Sequence, residues 1–118
     1  MKYKSFQDME VWQVSMKLSV DIFHLSCKLP KSEDYGLTSQ LRRSSNSVNA
    51  NIAEAFGRNT SPDKSRIYVM AKGSALETQS HLLYGTNVGY FDEKISTEIN
   101  LRYNDLIHSI NKIIRSLN

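Results

Sequence analysis

The sequence predicts an all-α protein, an antiparallel up-down-up-down four-helix bundle. Apolar residues recur every three or four positions in four successive segments, which is the spacing of one helix face. Short connections separate the segments, so consecutive helices are expected to lie side by side and antiparallel. No stretch of useful length alternates apolar and polar residues as a half-buried strand would.

The first two helices are expected at about residues 6–29 and 34–56. The first carries an apolar stripe that ends before Pro30, and proline disfavours helix in the residue before it. Ser32 then has the character of an N-cap for the second helix, and Gly57 that of its C-terminal stop.

The last two helices are expected at about residues 62–88 and 95–117. Ser61 is the predicted N-cap of the third, followed by Pro62 at the first helical position. Gly73 lies inside this helix, where glycine costs about 1 kcal/mol relative to alanine. It either lets another helix approach closely or is a tolerated weak position. The fourth helix has a regular 4-3 apolar repeat, typical of bundle packing.

Length and composition indicate one domain, residues 1–118, in a reducing compartment. A chain of 118 residues suits a single core. Its one cysteine, Cys27, excludes an intramolecular disulfide and fits the cytoplasm. No signal peptide is visible at the start, and no apolar run of 18 residues predicts a membrane span.

The positive charge is concentrated in the middle of the chain. The net charge is +3, yet residues 35–72 carry six Lys and Arg residues against two acidic ones. A local basic patch attracts phosphate, whereas the alternative is an ordinary solvated face. The candidate nucleic-acid contacts are Arg42, Arg43, Arg58, Lys64, Arg66 and Lys72.

No pattern for catalysis or metal binding is present, so we expect no enzyme, no cofactor and no metal. A di-iron bundle needs Glu-x-x-His on two helices, and the nearest approach is the single pair Glu77 and His81. We interpret that pair as a surface contact. Cys27 has no histidine in an obvious relation to it, and no phosphate-binding or nucleophile motif occurs.

The second helix has an unusual outward side. Five of the six residues in 44–49 are Ser or Asn, although the apolar residues keep helical spacing. At 100° per residue, one side carries the core stripe and the other carries small residues and arginines instead of Lys and Glu. Either the helix packs on two sides, or it is a plain surface helix of odd composition. The candidate subunit-interface residues are Arg42, Arg43, Asn46, Asn49, Ala50, Ala53 and Glu54.

The segment LTSQLRRSSNSVNANIAEAFGR, residues 37–58, resembles the signature of the 23S rRNA intervening-sequence proteins. FQDMEVWQ (6–13), LPKSEDYGL (29–37) and AKGSALETQSHL (71–82) resemble further parts of that family. Ser44, Val48 and Ala55 stand where alanine, isoleucine and glycine are usual. The signature matches at Leu37, Gln40, Arg42, Arg43, Ser47, Asn51, Ile52, Ala53, Glu54, Gly57 and Arg58.

The resemblance implies a bacterial protein that folds as a left-handed antiparallel four-helix bundle. It also implies that the protein assembles as a homopentamer, a ring with a central channel. Similar proteins include the accessory variability determinants of diversity-generating retroelements, which are basic pentamers that bind nucleic acid and a reverse transcriptase. The family name describes gene location, so it does not establish RNA binding.

Two functions therefore remain open at this point. The first is a non-enzymatic homo-oligomer that binds structured RNA or a nucleic-acid-processing protein through its basic residues. The alternative is a protein–protein scaffold or adaptor, in which Arg42 or Arg43 pairs with Glu54 of a neighbouring subunit. Charge reversal at Arg42 is the expected discriminator: a lost oligomer favours the scaffold, and an intact oligomer with lost RNA affinity favours binding.

Overall fold

The computed structural model describes residues 3–118 as an elongated four-helix bundle measuring 45 × 23 × 21 Å. The all-α prediction is confirmed. The four helices are α1 (Glu10–Ser26), α2 (Leu37–Phe56), α3 (Ser61–Asn87) and α4 (Glu93–Leu117), with short 3-10 turns at Phe6–Asp8 and Lys31–Glu33.

The first two helices are shorter than their sequence patterns suggested. Phe6–Asp8 forms a separate 3-10 turn, so α1 begins at Glu10. The predicted N-cap Ser32 is wrong, because Ser32 lies inside the second 3-10 turn and α2 begins only at Leu37. Glu33 takes over the capping role, since its carboxylate accepts a hydrogen bond from the Leu37 amide at 3.0 Å.

Side-chain caps set the starts of α3 and α4. Thr60, not Ser61, is the N-cap of α3, and its hydroxyl accepts a hydrogen bond from the Asp63 amide at 3.3 Å. The predicted cap was therefore wrong by one residue. Asp92 caps α4 in the same way, accepting from the Ile95 amide at 3.2 Å, so the helix begins two residues earlier than expected.

Side-chain hydrogen bonds fix how α2 and α3 lie together. Thr78 donates to Ser44 at 2.8 Å, and Ser74 donates to Ser47 at 3.0 Å. Later residues of α2 thus pair with earlier residues of α3, so these two helices run antiparallel. The same order is seen between α1 and α2, where Ser26 pairs with Arg42 and Ser19 with Ser45. It is also seen between α3 and α4, where Thr86 pairs with Ser96 and Gln79 with Asn104. The handedness of the bundle stays a prediction.

The core is apolar along its length, with a polar layer near its middle. Side chains with no exposed area include Leu18, Leu41, Ile52 and Leu82. None of the helices formed by residues 3–118 combines the length and apolar character needed to cross a bilayer. The polar layer consists of the buried side chains of Ser44 and Thr78, which share a hydrogen bond of 2.8 Å, and of Tyr103, whose hydroxyl lies near Thr78.

Candidate interaction surfaces

Most of the predicted interface residues on α2 are accessible in the single chain. Arg43, Asn46, Ala50 and Glu54 are exposed, and Ala53 is half-buried. These four exposed residues lie on the outward side of α2, as expected. Whether another subunit covers them stays a prediction.

Asn49 was placed on this outward side, and that placement was wrong. Its side chain is only 4% exposed. It follows Ser45 by one helical turn, and Ser45 receives a hydrogen bond from Ser19 of α1, so this edge of α2 faces α1. Asn49 therefore offers little surface to a partner.

Arg42 is held against α1. Its Nε donates to Ser26 Oγ at 2.8 Å and its Nη2 to Cys27 Sγ at 3.4 Å. The guanidinium carbon lies 4.4 Å from the centre of the Phe23 ring, which is cation–π distance. All of these groups are uncharged, and within residues 3–118 Arg42 makes no ion pair.

Two other arginines have acidic partners in their own chain. Arg43 pairs with Glu77 of α3 at 3.0 Å. Arg58 pairs with Glu54 one turn earlier, and this carboxylate raises the pKa of the Arg58 guanidinium. Both pairs are solvent-exposed, so each contributes little to stability and can open for another partner.

The remaining cations lie on α3. Lys64 donates to the carbonyl oxygens of Ala55 and Phe56 at 3.1 and 3.2 Å and thereby satisfies the end of α2. Within the described part of the chain, Arg66 and Lys72 make no side-chain hydrogen bond or ion pair that would hold them.

The six candidate cations do not form one patch. Ser44 of α2 lies beside Thr78 of α3, so Arg42 is level with about residue 80. Lys64 is then about 24 Å away along the bundle axis, at 1.5 Å per residue. Arg42 and Lys64 therefore cannot contact the same phosphate group.

The outward side of α3 carries an apolar seam that the sequence analysis missed. Val69, Leu76 and Leu83 are spaced by seven residues and are 49%, 50% and 54% exposed. Gly73 and Ser80 lie between them on the same side. We call these five residues the α3 seam. They follow the 4-3 heptad spacing of a helix that packs against another helix.

Gly73 makes the seam accessible to a close approach. A Cβ atom added at this position would meet nothing within 4 Å. The glycine is therefore not required by packing within the chain. The open space leaves room for another helix, and both interpretations of Gly73 stay open at this point.

Two concave surfaces flank α1. A cavity of about 420 Å³ lies between α1 and α4, lined by side chains that include Met9, Val14 and Ile113. A groove of about 350 Å³ lies between α1 and α2. The groove is lined by Met16, Ser19, Val20, Phe23, Arg42, Ser45 and Asn46.

Glu77, His81 and Cys27, the residues considered for chemistry, contact neighbouring side chains. His81 lies 3.2 Å from Glu77, whose carboxylate is shared with Arg43. Within residues 3–118, no three His, Cys, Asp or Glu residues cluster as metal ligands would. Cys27 is exposed, and its sulfur accepts the hydrogen bond from Arg42.

Comparison with known proteins decides the family. The family model for the 23S rRNA-intervening sequence protein matches residues 7–112. This chain belongs to the 23S rRNA-intervening sequence protein family. The resemblance seen in the sequence is thereby confirmed.

A solved structure supports the same conclusion. A Bacteroides thetaiotaomicron protein of unknown function, from the S23 ribosomal protein family, is 25% identical and superposes with a TM-score of 0.82. The match covers 88% of this chain and 97% of the other. A search of curated proteins gave no significant match. Family membership therefore establishes the fold and leaves the activity to be argued from the surfaces.

Proposed function

We propose that this 23S rRNA-intervening sequence protein is a non-enzymatic homo-oligomer, whose subunits contact each other through the α3 seam. The observation that carries the proposal is the row Val69, Leu76 and Leu83, half-exposed at seven-residue intervals. The assembly would be the pentamer that the family resemblance implies.

The seam has the composition of a helix contact. Fully burying a leucine or valine side chain contributes about 1.5–3 kcal/mol, and half of each seam side chain is already buried. Covering the other halves would therefore contribute about 2–4 kcal/mol per subunit. Gly73 and Ser80 leave room between the large side chains, so a facing helix can interdigitate.

A ring of five places a constraint on this contact. Cyclic assemblies of odd number use a heterologous interface, in which two different surfaces of the subunit meet. The seam of one copy would then contact another face of the next copy. The exposed outward residues of α2 that lie outside the groove beside α1, among them Ala50 and Glu54, belong to the surfaces available for it.

The test is the mass of the native protein in solution. We expect light scattering to give a multiple of 13.5 kDa for the wild type and a smaller mass for Leu76→Glu. Lys17→Glu is the matched control, because it introduces the same side chain at an exposed position of α1. A wild-type monomer, or equal loss of mass in both variants, would contradict the proposal.

Binding of structured RNA is the second candidate function. It is favoured by Arg66 and Lys72, which have no acidic partner in residues 3–118, and by Arg58, whose exposed ion pair can exchange. A pentamer of +3 chains would carry a net charge of +15, which multiplies a modest patch.

The RNA candidate predicts a measurable salt dependence. Filter binding of a structured RNA at low ionic strength should weaken as salt is raised. Each of Arg66→Gln and Lys72→Gln should lower the slope of log affinity against log salt by about 1. Lys17→Gln is the control for lost charge alone. Absence of binding at low salt would leave the scaffold or adaptor function.

We propose the cytoplasm as the compartment for either function, because its reducing conditions would keep the exposed Cys27 as a free thiol.

A further inference from the structure

The groove between α1 and α2 has two chemically different walls. Met16, Val20 and Phe23 of α1 form an apolar wall, and the last two are about half-exposed. The opposite wall, from α2, consists of Arg42, Ser45 and Asn46. An amphipathic surface of this kind suits an amphipathic ligand.

Arg42 is fixed in this groove before any partner arrives. Nε and Nη2 are engaged by Ser26 and Cys27, and the Phe23 ring lies against the guanidinium plane. Within the described chain Nη1 donates no hydrogen bond. A planar guanidinium that is held in place loses little entropy when it binds a carboxylate. The groove thus contains an ordered positive charge that lacks a counterion.

We propose that this groove binds an acidic amphipathic helix of a partner protein. Apolar side chains of the helix would pack against Met16, Val20 and Phe23, and one carboxylate would accept hydrogen bonds from Arg42. Asn46, which is exposed at the same wall, would provide a polar contact beside that carboxylate. This is the helix-in-groove mode of recognition.

The groove fits a peptide better than it fits RNA. Arg42 is the one cation among its seven lining residues, whereas RNA binding depends on several phosphate contacts. The guanidinium of Arg42 also covers one face of the Phe23 ring, which leaves less of the ring available for stacking on a base. The apolar wall has no role in phosphate binding.

The experiment uses two labelled peptides and fluorescence anisotropy. One is a 16-residue amphipathic helix with leucines on one face and glutamates beside them, and the other replaces the glutamates by glutamine. The wild-type protein should bind the glutamate peptide about tenfold more tightly, as a charge-assisted hydrogen bond predicts. Arg42→Gln should remove this preference, and the control Arg115→Gln should keep it.

A second variant tests the groove without removing the contacts that Arg42 makes within the chain. Val20 is about half-exposed, so Val20→Glu is expected to leave the fold intact while it places a negative charge in the groove. It should weaken the glutamate peptide more than the glutamine peptide. Circular dichroism of each variant checks the helix content.

Three results would overturn the proposal. The first is equal affinity of the wild type for both peptides, or no binding of either. The second is RNA binding that is lost in Arg42→Gln while neither peptide binds. The third is a change of oligomeric mass in Val20→Glu, which would show that a second copy of the chain covers the groove.

Discussion

Thr78 donates a hydrogen bond to Ser44 at 2.8 Å inside the bundle, where the two residues are 0% and 1% exposed. The bond joins α3 to α2. The Thr78 hydroxyl has a second acceptor, the Ser74 carbonyl oxygen at 2.9 Å.

The first prediction concerns this pair. Thr78→Val should lower the free energy of unfolding by about 1–2 kcal/mol, because Ser44 then keeps only a poor contact to the Leu41 carbonyl oxygen. Ser44→Ala should cost less, since Thr78 can turn fully to Ser74. Urea denaturation measures both, with Thr97→Val at an exposed position of α4 as the control.

The double variant provides the sharper test of the contact. If the two hydroxyls interact, the combined loss in Ser44→Ala/Thr78→Val should be smaller than the sum of the single losses. Strict additivity would show that the hydrogen bond contributes no coupling.

The second prediction concerns Glu33 and pH. The Leu37 amide, and then the Tyr90 hydroxyl, hydrogen-bond the carboxylate and hold the pKa of Glu33 below its usual 4.5. A depressed folded-state pKa adds stability above pH 4.5 that is lost as the pH falls through the lower folded value. Glu33→Gln should therefore lower the urea midpoint at pH 7 and lower it less near pH 3.

A matched variant checks that this effect is specific to Glu33. Asp34→Asn removes the neighbouring exposed carboxylate and should leave the urea midpoint nearly unchanged at both pH values. A Glu33→Gln difference that is equal at pH 7 and pH 3 would contradict the capping role.

The third prediction compares two glycines of α3. A Cβ atom at Gly85 would overlap the buried Phe91 ring, whereas one at Gly73 meets open space. Gly85→Ala should lower the free energy of unfolding by about 1–3 kcal/mol through overpacking. Gly73→Ala should raise it by about 1 kcal/mol, because alanine is the better helix former.

Thermal or urea unfolding of the two alanine variants decides this comparison. The opposite signs are the essential result, since both variants add one methyl group to the same helix. A loss of similar size in both would mean that Gly73 is also required within the single chain.

The sequence predicted the core of α4 well, because its repeat has one apolar face. The repeat comprises Ile99, Tyr103, Leu106, Ile110, Ile113 and Leu117. The first four are buried, and the last two are partly buried. Helix ends were harder. Thr60 and Ser61 both have hydroxyls that can cap, and only the backbone geometry decides which one does.

The interaction surfaces could be predicted less well from the sequence, for a different reason. α3 has apolar residues on two sides, so its periodicity identified the core stripe and hid Val69, Leu76 and Leu83. Asn49 lies at the edge of the apolar stripe of α2. At such an edge, a helical wheel does not distinguish a position that faces a neighbouring helix from one that faces solvent. Arg42 reaches across to α1, and a contact between two helices leaves no local spacing signal.

The Arg42 charge reversal now discriminates less than the sequence suggested. Its guanidinium contacts Ser26, Cys27 and Phe23, so Arg42→Glu also removes contacts between α1 and α2. A lost oligomer in this variant therefore no longer identifies a scaffold role by itself. Substitutions in the α3 seam avoid this difficulty.

The most direct test of the central claim is the mass of Gly73→Leu measured by light scattering beside that of the wild type. Leucine at this open position should stabilise the single chain, as a better helix former, and block a helix that docks on the seam. We predict a wild-type oligomer and a Gly73→Leu variant of lower mass that keeps its helix content in circular dichroism. An oligomer of unchanged mass in Gly73→Leu would show that the α3 seam is not the subunit contact.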